Sequence, residues 1–214
     1  MLFDEASRRL RTLPGPLPAP PRALEPIALA REGRPPWIGP GEGRPPRDAA
    51  VLVLVYPGPS GAAHLILTER PTGDLRHSGQ ISFPGGAADP GDDFPVGTAL
   101  REAAEEVALD PVAAGVETLG VLTTVDMRRV SGFLVVPVLA VAAREPALAA
   151  HEREVAAILR VPVTTFLPGA PIEMVEDERD GYRLRYGAYP FDRYRIWGAT
   201  ARILGQLGAV LGAE

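Results

Sequence analysis

Three glutamates within five residues, Glu102, Glu105 and Glu106, constrain this chain more than any other feature. The stretch Thr98 to Leu109 is predicted as a helix, with Pro111 expected to stop it. An α-helix turns about 100° per residue. With Leu100 at zero, Ala103, Ala104 and Val107 fall within roughly 60° of it, and the three glutamates centre near roughly 190°. One stripe can therefore bury against a core while the opposite one carries only acids. Glu102 and Glu106 stand at i,i+4 and Glu102 and Glu105 at i,i+3, spacings at which like charges repel. Arg101 can relieve Glu105, but no cation within the helix serves Glu102 or Glu106. A solvated acidic face is one reading of such a helix. The other is a bound divalent cation, because Mg²⁺ and Mn²⁺ prefer oxygen ligands and Mg²⁺ sites combine one or two carboxylates with water and substrate phosphates. The glycine-rich turn Phe83-Pro84-Gly85-Gly86, just upstream, favours the second reading.

Composition narrows the setting. The chain has 214 residues, of which 46% are hydrophobic, enough for one large domain or one domain with extensions. No run of eighteen apolar residues is present, so no membrane span is expected. The start Met1-Leu2-Phe3-Asp4-Glu5 lacks the basic and apolar pattern of a signal peptide. Cysteine is absent, which excludes disulfides and thiolate chemistry and fits a cytoplasmic protein. The net charge of −5 argues against general nucleic-acid affinity. An anionic small molecule stays open as a partner if arginines or a metal reverse the local sign.

Eleven of the 24 prolines lie in the first 48 residues. Asp4 to Leu13 reads as a short amphipathic helix, and the stretch from Arg34 to Pro46 as an extended arm. Residues 1–48 are expected to form an N-terminal extension packed on a domain spanning 49–214. The arm leaves two roles open, covering a subunit interface in a homodimer or padding the sheet. Ala49 to Tyr56 is an almost unbroken apolar run, read as a buried strand, and Ala63 to Thr68 as its hairpin partner. Further strands are expected at Ile81–Phe83, Glu117–Thr123, Phe133–Ala142, Val155–Val161, Arg183–Tyr186 and Tyr194–Ile196. Val163–Leu167 reads as a helical turn. Thr200 to Gly212 reads as a C-terminal helix with Ala201, Leu204 and Leu207 on one face. A mixed sheet with a few helices is the consistent outcome.

The motifs point further. Leu65 to Arg70, Leu75-Arg76-His77-Ser78-Gly79-Gln80-Ile81-Ser82-Phe83-Pro84-Gly85-Gly86 and Arg101 to Leu109 together resemble the Nudix hydrolase box, GX5EX7REUXEEXGU with U a bulky apolar residue. The upstream Leu-Thr-x-Arg, then Arg, Gly and Phe-Pro-Gly-Gly, looks like the extra motif of the coenzyme A pyrophosphatase branch. Arg195-Ile196-Trp197-Gly198-Ala199-Thr200-Ala201 is similar to that branch as well. The resemblance runs from about Val51 to Leu204. There are three departures. An aspartate, Asp92 or Asp93 according to register, stands for the first box glutamate. Ala108 replaces the box glycine, so helix termination is expected to rest on Pro111. Ala87 sits where the branch often has a basic residue, which implies weaker phosphate contacts there.

The resemblance implies an α/β (α+β) class, a Nudix-type α/β/α sandwich with a mixed β-sheet. It implies a Mg²⁺ or Mn²⁺ requirement, with Glu102 and Glu106 as metal ligands, Glu105 close by and the Gly86 backbone carbonyl as a further candidate. It implies hydrolysis of a diphosphate joined to a nucleoside. For the branch this means CoA or acyl-CoA giving 3′,5′-ADP and (acyl-)4′-phosphopantetheine; ADP-ribose is the alternative substrate, and a non-catalytic nucleotide sensor a third reading. A general base could be Glu105 or, on a later loop, Glu154. Phosphate groups call for arginine forks, and Arg70, Arg76, Arg128 and Arg129 are the candidates, with His77 as a hydrogen-bonding partner. Neither a P-loop nor a Ser/His/Asp nucleophile set is present.

Overall fold

The apolar run from Ala49 to Tyr56 is the centre of the molecule. A computed structural model describes residues 1–29, 46–72, 79–128, 131–179 and 182–213. In chain order these form helix α1 (Phe3–Leu10) and strands β1 (Ile27–Ala28), β2 (Arg47–Pro57), β3 (Ala63–Glu69), β4 (Ile81–Ser82) and β5 (Gly85–Ala87). Helices α2 (Val96–Val107) and α3 (Pro111–Ala114) follow, then strands β6 (Val116–Val121), β7 (Val125–Met127), β8 (Phe133–Ala142) and β9 (Ala157–Pro162). Strands β10 (Glu173–Arg179), β11 (Tyr182–Phe191) and β12 (Tyr194–Ile196) and helix α4 (Gly198–Gly212) complete the chain.

Strand β2 pairs parallel with β8 from Arg47↔Phe133 to Val55↔Val141. Its other edge pairs antiparallel with β5 at one end and β3 at the other. The order β4-β3-β2-β8-β6, with β5, β7 and β9 attached, makes the main sheet mixed. Side chains alternate across β2. Val53 and Val55 enter one core with Leu10 of α1 and Leu204, Leu207 and Leu211 of α4. Leu52 and Leu54 enter the other with Ala99, Ala103 and Val107 of α2. Burial on both faces explains why β2 is apolar almost throughout rather than alternating. The result is a sheet between helical layers. Ala6, Leu10 and Leu24 from the first 29 residues are fully buried. Among the described residues, no helix is long and apolar enough to cross a membrane.

A smaller sheet orders β1-β11-β10, with β12 on the end of β11. Strand β11 runs well past the expected Tyr186, to Phe191. Strand β10 was not expected, because Glu173-Met174-Val175-Glu176-Asp177-Glu178 has few of the residues that favour strands. It is held by a ladder with β11 running from Glu173↔Ala188 to Arg179↔Tyr182, in which Glu176 faces Arg185 and Glu178 faces Arg183, pairs that each add a fraction of a kcal/mol.

The end of α2 also differs from expectation. Ala108 itself terminates the helix in the left-handed conformation, at φ 54°, and the next amide, of Leu109, bonds back to the Ala103 carbonyl. Pro111 instead starts α3, with Asp110 capping that helix through the amides of Val112 and Ala113. The box glycine is thus replaced at the position where its lack of a Cβ would matter.

Candidate active site

Two consecutive glycines bring strand and helix together. Gly85 and Gly86, expected in a turn, belong to strand β5, held by Gly86↔Ala50 pairing. A side chain on Gly85 would strike the backbone of Ala50 and Val51. A Cβ on Gly86 would lie 2.5 Å from the Glu102 carboxyl. The Glu102 carboxylate therefore rests directly on the Gly86 backbone. The Gly85 N–H donates to Glu106 Oε2 at 3.2 Å.

These contacts turn the helix away from its expected orientation. Ala99, Ala103, Glu106 and Val107 face inward, while Ala104 is exposed. The buried stripe has moved toward the acids and taken one of them in. Small residues at 99 and 103 permit the close approach, and the Gly85 amide meets the buried carboxylate. Glu106 is only 8% exposed. Burial pushes its pKa up to about 7, against the opposing pull of the Gly85 hydrogen bond and the Arg70 charge, while the charges of Glu102 and Glu154 push it further up. Glu102 is raised for the same first reason, with Arg101 opposing and Glu105 and Glu154 adding to the rise.

One arginine organises the remaining acids. Arg101 donates to both oxygens of Asp92, from Nε at 3.1 Å and from an NH2 nitrogen at 3.0 Å. It also donates to the Ala87 carbonyl at 3.1 Å and to Glu105 at 3.0 Å, and pairs with Glu102 at 3.1 Å. The bidentate fork, joined by Thr98 Oγ1, holds the Asp92 carboxyl well below the usual carboxylate range. Of the two aspartates, Asp92 is the one whose carboxylate engages Arg101, while Asp93 accepts the Gly97 amide at its backbone carbonyl. Sequence reasoning did not foresee the role of Asp92 as a clamp that ties the β5–α2 loop to the helix. The charge-matched Asp-x8-Arg spacing was its only signal.

The other candidates separate clearly. Arg70 lies close enough for its charge to act on Glu106. Glu154 comes from a distant loop whose His151 and Ala149 amides bond the last carbonyls of α2, at Glu106 and Val107. That strap carries Glu154 to where its charge acts on both Glu102 and Glu106. Arg128 is paired with Asp126. It follows β7, three strands from β5 along the row Ala87–Ala49–Val135–Val125, about 14 Å across the sheet. Arg76, His77 and Arg129 lie outside the described residues.

Among the described residues, no three His, Cys, Asp or Glu side chains form a ready-made metal cluster. Glu105 is turned toward Arg101 rather than inward. What the site offers is two carboxylates lying against a glycine backbone: Glu106, buried with the Gly85 amide as its direct partner, and Glu102, which shares Arg101 with Asp92 and Glu105. An all-oxygen set with two carboxylates suits Mg²⁺ or Mn²⁺, which fill the rest of their shells with water and phosphate oxygens. The place suits a hard cation and a phosphate-bearing substrate together.

Comparison with known proteins identifies the family. The NUDIX domain family matches residues 46–184. Over 168 residues the chain is 38% identical to the uncharacterized Nudix hydrolase NudL of Salmonella paratyphi B, covering 78% of this chain and 84% of that one. NudL of Salmonella newport matches equally well. Among solved structures, the Nudix hydrolase RenU from M. smegmatis is similar at 25% identity and a TM-score of 0.45, over 56% of this chain and 72% of that one. The chain belongs to the Nudix family. It is a Nudix pyrophosphohydrolase of nucleoside diphosphate derivatives, in a family that generally uses divalent metals such as Mg²⁺ or Mn²⁺.

Proposed function

We propose that this enzyme hydrolyses the diphosphate of CoA or acyl-CoA, giving 3′,5′-ADP and (acyl-)4′-phosphopantetheine. The observation that carries this reading is the position of Arg70. It is the first arginine of the segment that resembles the coenzyme A pyrophosphatase branch, and its charge acts on the buried Glu106. The part of the chain that resembles a CoA-recognition motif thus begins within electrostatic reach of Glu106. Residues 1–48 serve as an extension of the catalytic domain at 49–214, and the protein works in the cytoplasm.

Glu102 and Glu106, with the Gly86 carbonyl, hold the cation. When bound, Mg²⁺ or Mn²⁺ supplies charge neutralisation of the diphosphate and polarisation of phosphorus. Arg101, locked to Asp92 and the Ala87 carbonyl, fixes Glu102 and the β5–α2 loop in register. Arg70 meets a substrate phosphate oxygen. Positioning and charge complementarity are most of what phosphoryl transfer asks of a protein. Glu154 takes the proton from the attacking water as the P–O bond to the leaving phosphate breaks. Its place supports it over Glu105, whose carboxylate is engaged by Arg101.

The test is product analysis with CoA, acetyl-CoA, a longer acyl-CoA and ADP-ribose, each with Mg²⁺ and with Mn²⁺. Release of 3′,5′-ADP from CoA is expected. Cleavage of ADP-ribose to AMP with CoA untouched would overturn the substrate assignment. Absence of hydrolysis on every diphosphate would favour a nucleotide sensor.

A further inference from the structure

The segment Arg195 to Ala201, similar to the same branch, has no part in the chemistry described above. Tyr194, just before it, and Thr200, within it, hold strands β3 and β4, which lead to the recognition motif. Strands β3 and β4 pair through Thr68↔Ser82 and Glu69↔Ile81. The pairing continues one step further, where the Arg70 amide donates to the Gln80 carbonyl at 3.0 Å and the Gly79 amide to the Arg70 carbonyl at 3.2 Å. Arg70 therefore sits at the end of a two-stranded stem, and its orientation depends on that stem.

Each strand of the stem is tied to the C-terminal segment by one hydroxyl. The Tyr194 hydroxyl donates to Glu69 Oε2 at 2.9 Å. The Thr200 hydroxyl donates to the Ile81 carbonyl at 2.9 Å, and this bond is buried. Glu69 and Ile81 face each other across the ladder, so the two hydroxyls grip one rung from opposite sides. The grip itself is rigid. Phe191 pairs with Tyr194 across a two-residue hairpin turn in which Asp192 adopts φ 52°. Arg193 donates to the Tyr194 hydroxyl at 2.7 Å and pairs with Glu69 at 3.5 Å. Ile196, between the two hydroxyls, is fully buried, and the Trp197 ring packs on Tyr186 at 4.8 Å. Glu69 immediately precedes Arg70, so a shift at its carboxylate is transmitted over a single residue.

We propose that Tyr194 and Thr200 are positioning residues for substrate recognition, clamping the Glu69–Ile81 rung so that Arg70 is held in place at the end of the β3–β4 stem. This rests on the reading of Arg70 as a substrate-phosphate ligand. It assigns the C-terminal motif a role in binding rather than in the chemical step.

Steady-state kinetics of Tyr194→Phe, Thr200→Val and Thr200→Ser, with CoA and with ADP-ribose as probes in Mn²⁺, test the proposal. Loss of either hydroxyl is expected to raise KM about 3- to 10-fold, with kcat within about twofold of wild type. Thr200→Ser keeps the hydroxyl and is expected to restore the wild-type KM. A lowered melting temperature with unchanged KM would reduce the clamp to a structural contact and overturn the proposal. A fall in kcat at constant KM would overturn it as well. Wild type that cleaves ADP-ribose alone would remove the CoA assignment, and the same KM comparison on ADP-ribose would still decide the clamp.

Discussion

Two acid-rich stretches of this molecule look alike in sequence and behave differently in the fold. Helix α2 carries Glu102, Glu105 and Glu106, and strand β10 carries Glu173, Glu176, Asp177 and Glu178. On β10 the acids lie in water beside arginines. Glu176, 43% exposed at its side chain, pairs with Arg183 at 3.0 Å and Arg185 at 3.3 Å. Exposed pairs of this kind contribute about 0–1 kcal/mol. On α2 the single Arg101 serves Asp92, Glu102 and Glu105, while Glu106 is buried with a backbone amide as its direct partner. Burial without full neutralisation is costly to a folded protein and persists where a ligand completes the site. Desolvation, rather than the number of acids, separates a functional carboxylate cluster from a solvated face.

The strongest way to break this contrast is to neutralise one acid in each region. Glu106→Gln is expected to lower kcat/KM roughly 100- to 1,000-fold, the scale for removing one electrostatic contact at a reacting phosphate. Glu176→Gln is expected to leave activity within twofold and unfolding free energy within about 0.5 kcal/mol. Equal effects would erase the distinction between the two stretches. The base assignment comes next. Glu154→Gln is expected to lower kcat about 100-fold, and Glu105→Gln less than about 10-fold, in single-turnover assays. The reverse order would return the role to Glu105. A smaller effect is expected at the clamp, where Asp92→Asn frees Arg101 and lowers kcat/KM about 10-fold while the circular dichroism spectrum is retained.

The smallest effect concerns stability alone. Ala108 ends α2 in the left-handed region, which costs a non-glycine residue roughly 1–2 kcal/mol. Part of that strain is offset because glycine loses more backbone entropy on folding. Ala108→Gly is expected to stabilise the protein by about 0.5–1 kcal/mol, read as a higher denaturant midpoint at unchanged slope. Unchanged or lowered stability would mean that the helix end is held by other contacts.

The central strands were legible because their signals are local. The expected Phe133–Ala142 and Tyr194–Ile196 coincide with β8 and β12, and the Ala49–Tyr56 run is the middle of β2. Strand β10 was hidden because what holds it is its ladder with β11, with arginines facing its acids, which periodicity within β10 cannot reveal. Strand β5 was hidden because glycines signal turns, whereas here they permit close approach to β2 and α2. In the site, the pairing of Glu102 with Glu106 was readable from helical spacing. The burial of Glu106 was not, because its partner is the amide of Gly85, 21 residues earlier. Glu154 could be named as a candidate, but its approach depends on the strap from His151 and Ala149 to the end of α2.

The most direct measurement is a Mn²⁺ titration of the wild type, Glu106→Gln and Glu176→Gln, by calorimetry in the absence of substrate. The expected result is binding by the wild type and by Glu176→Gln with the same Kd, and at least about 10-fold weaker binding by Glu106→Gln. Equal Mn²⁺ affinity in all three proteins, or loss of affinity in Glu176→Gln alone, would contradict the assignment of the buried α2 carboxylates as the metal site.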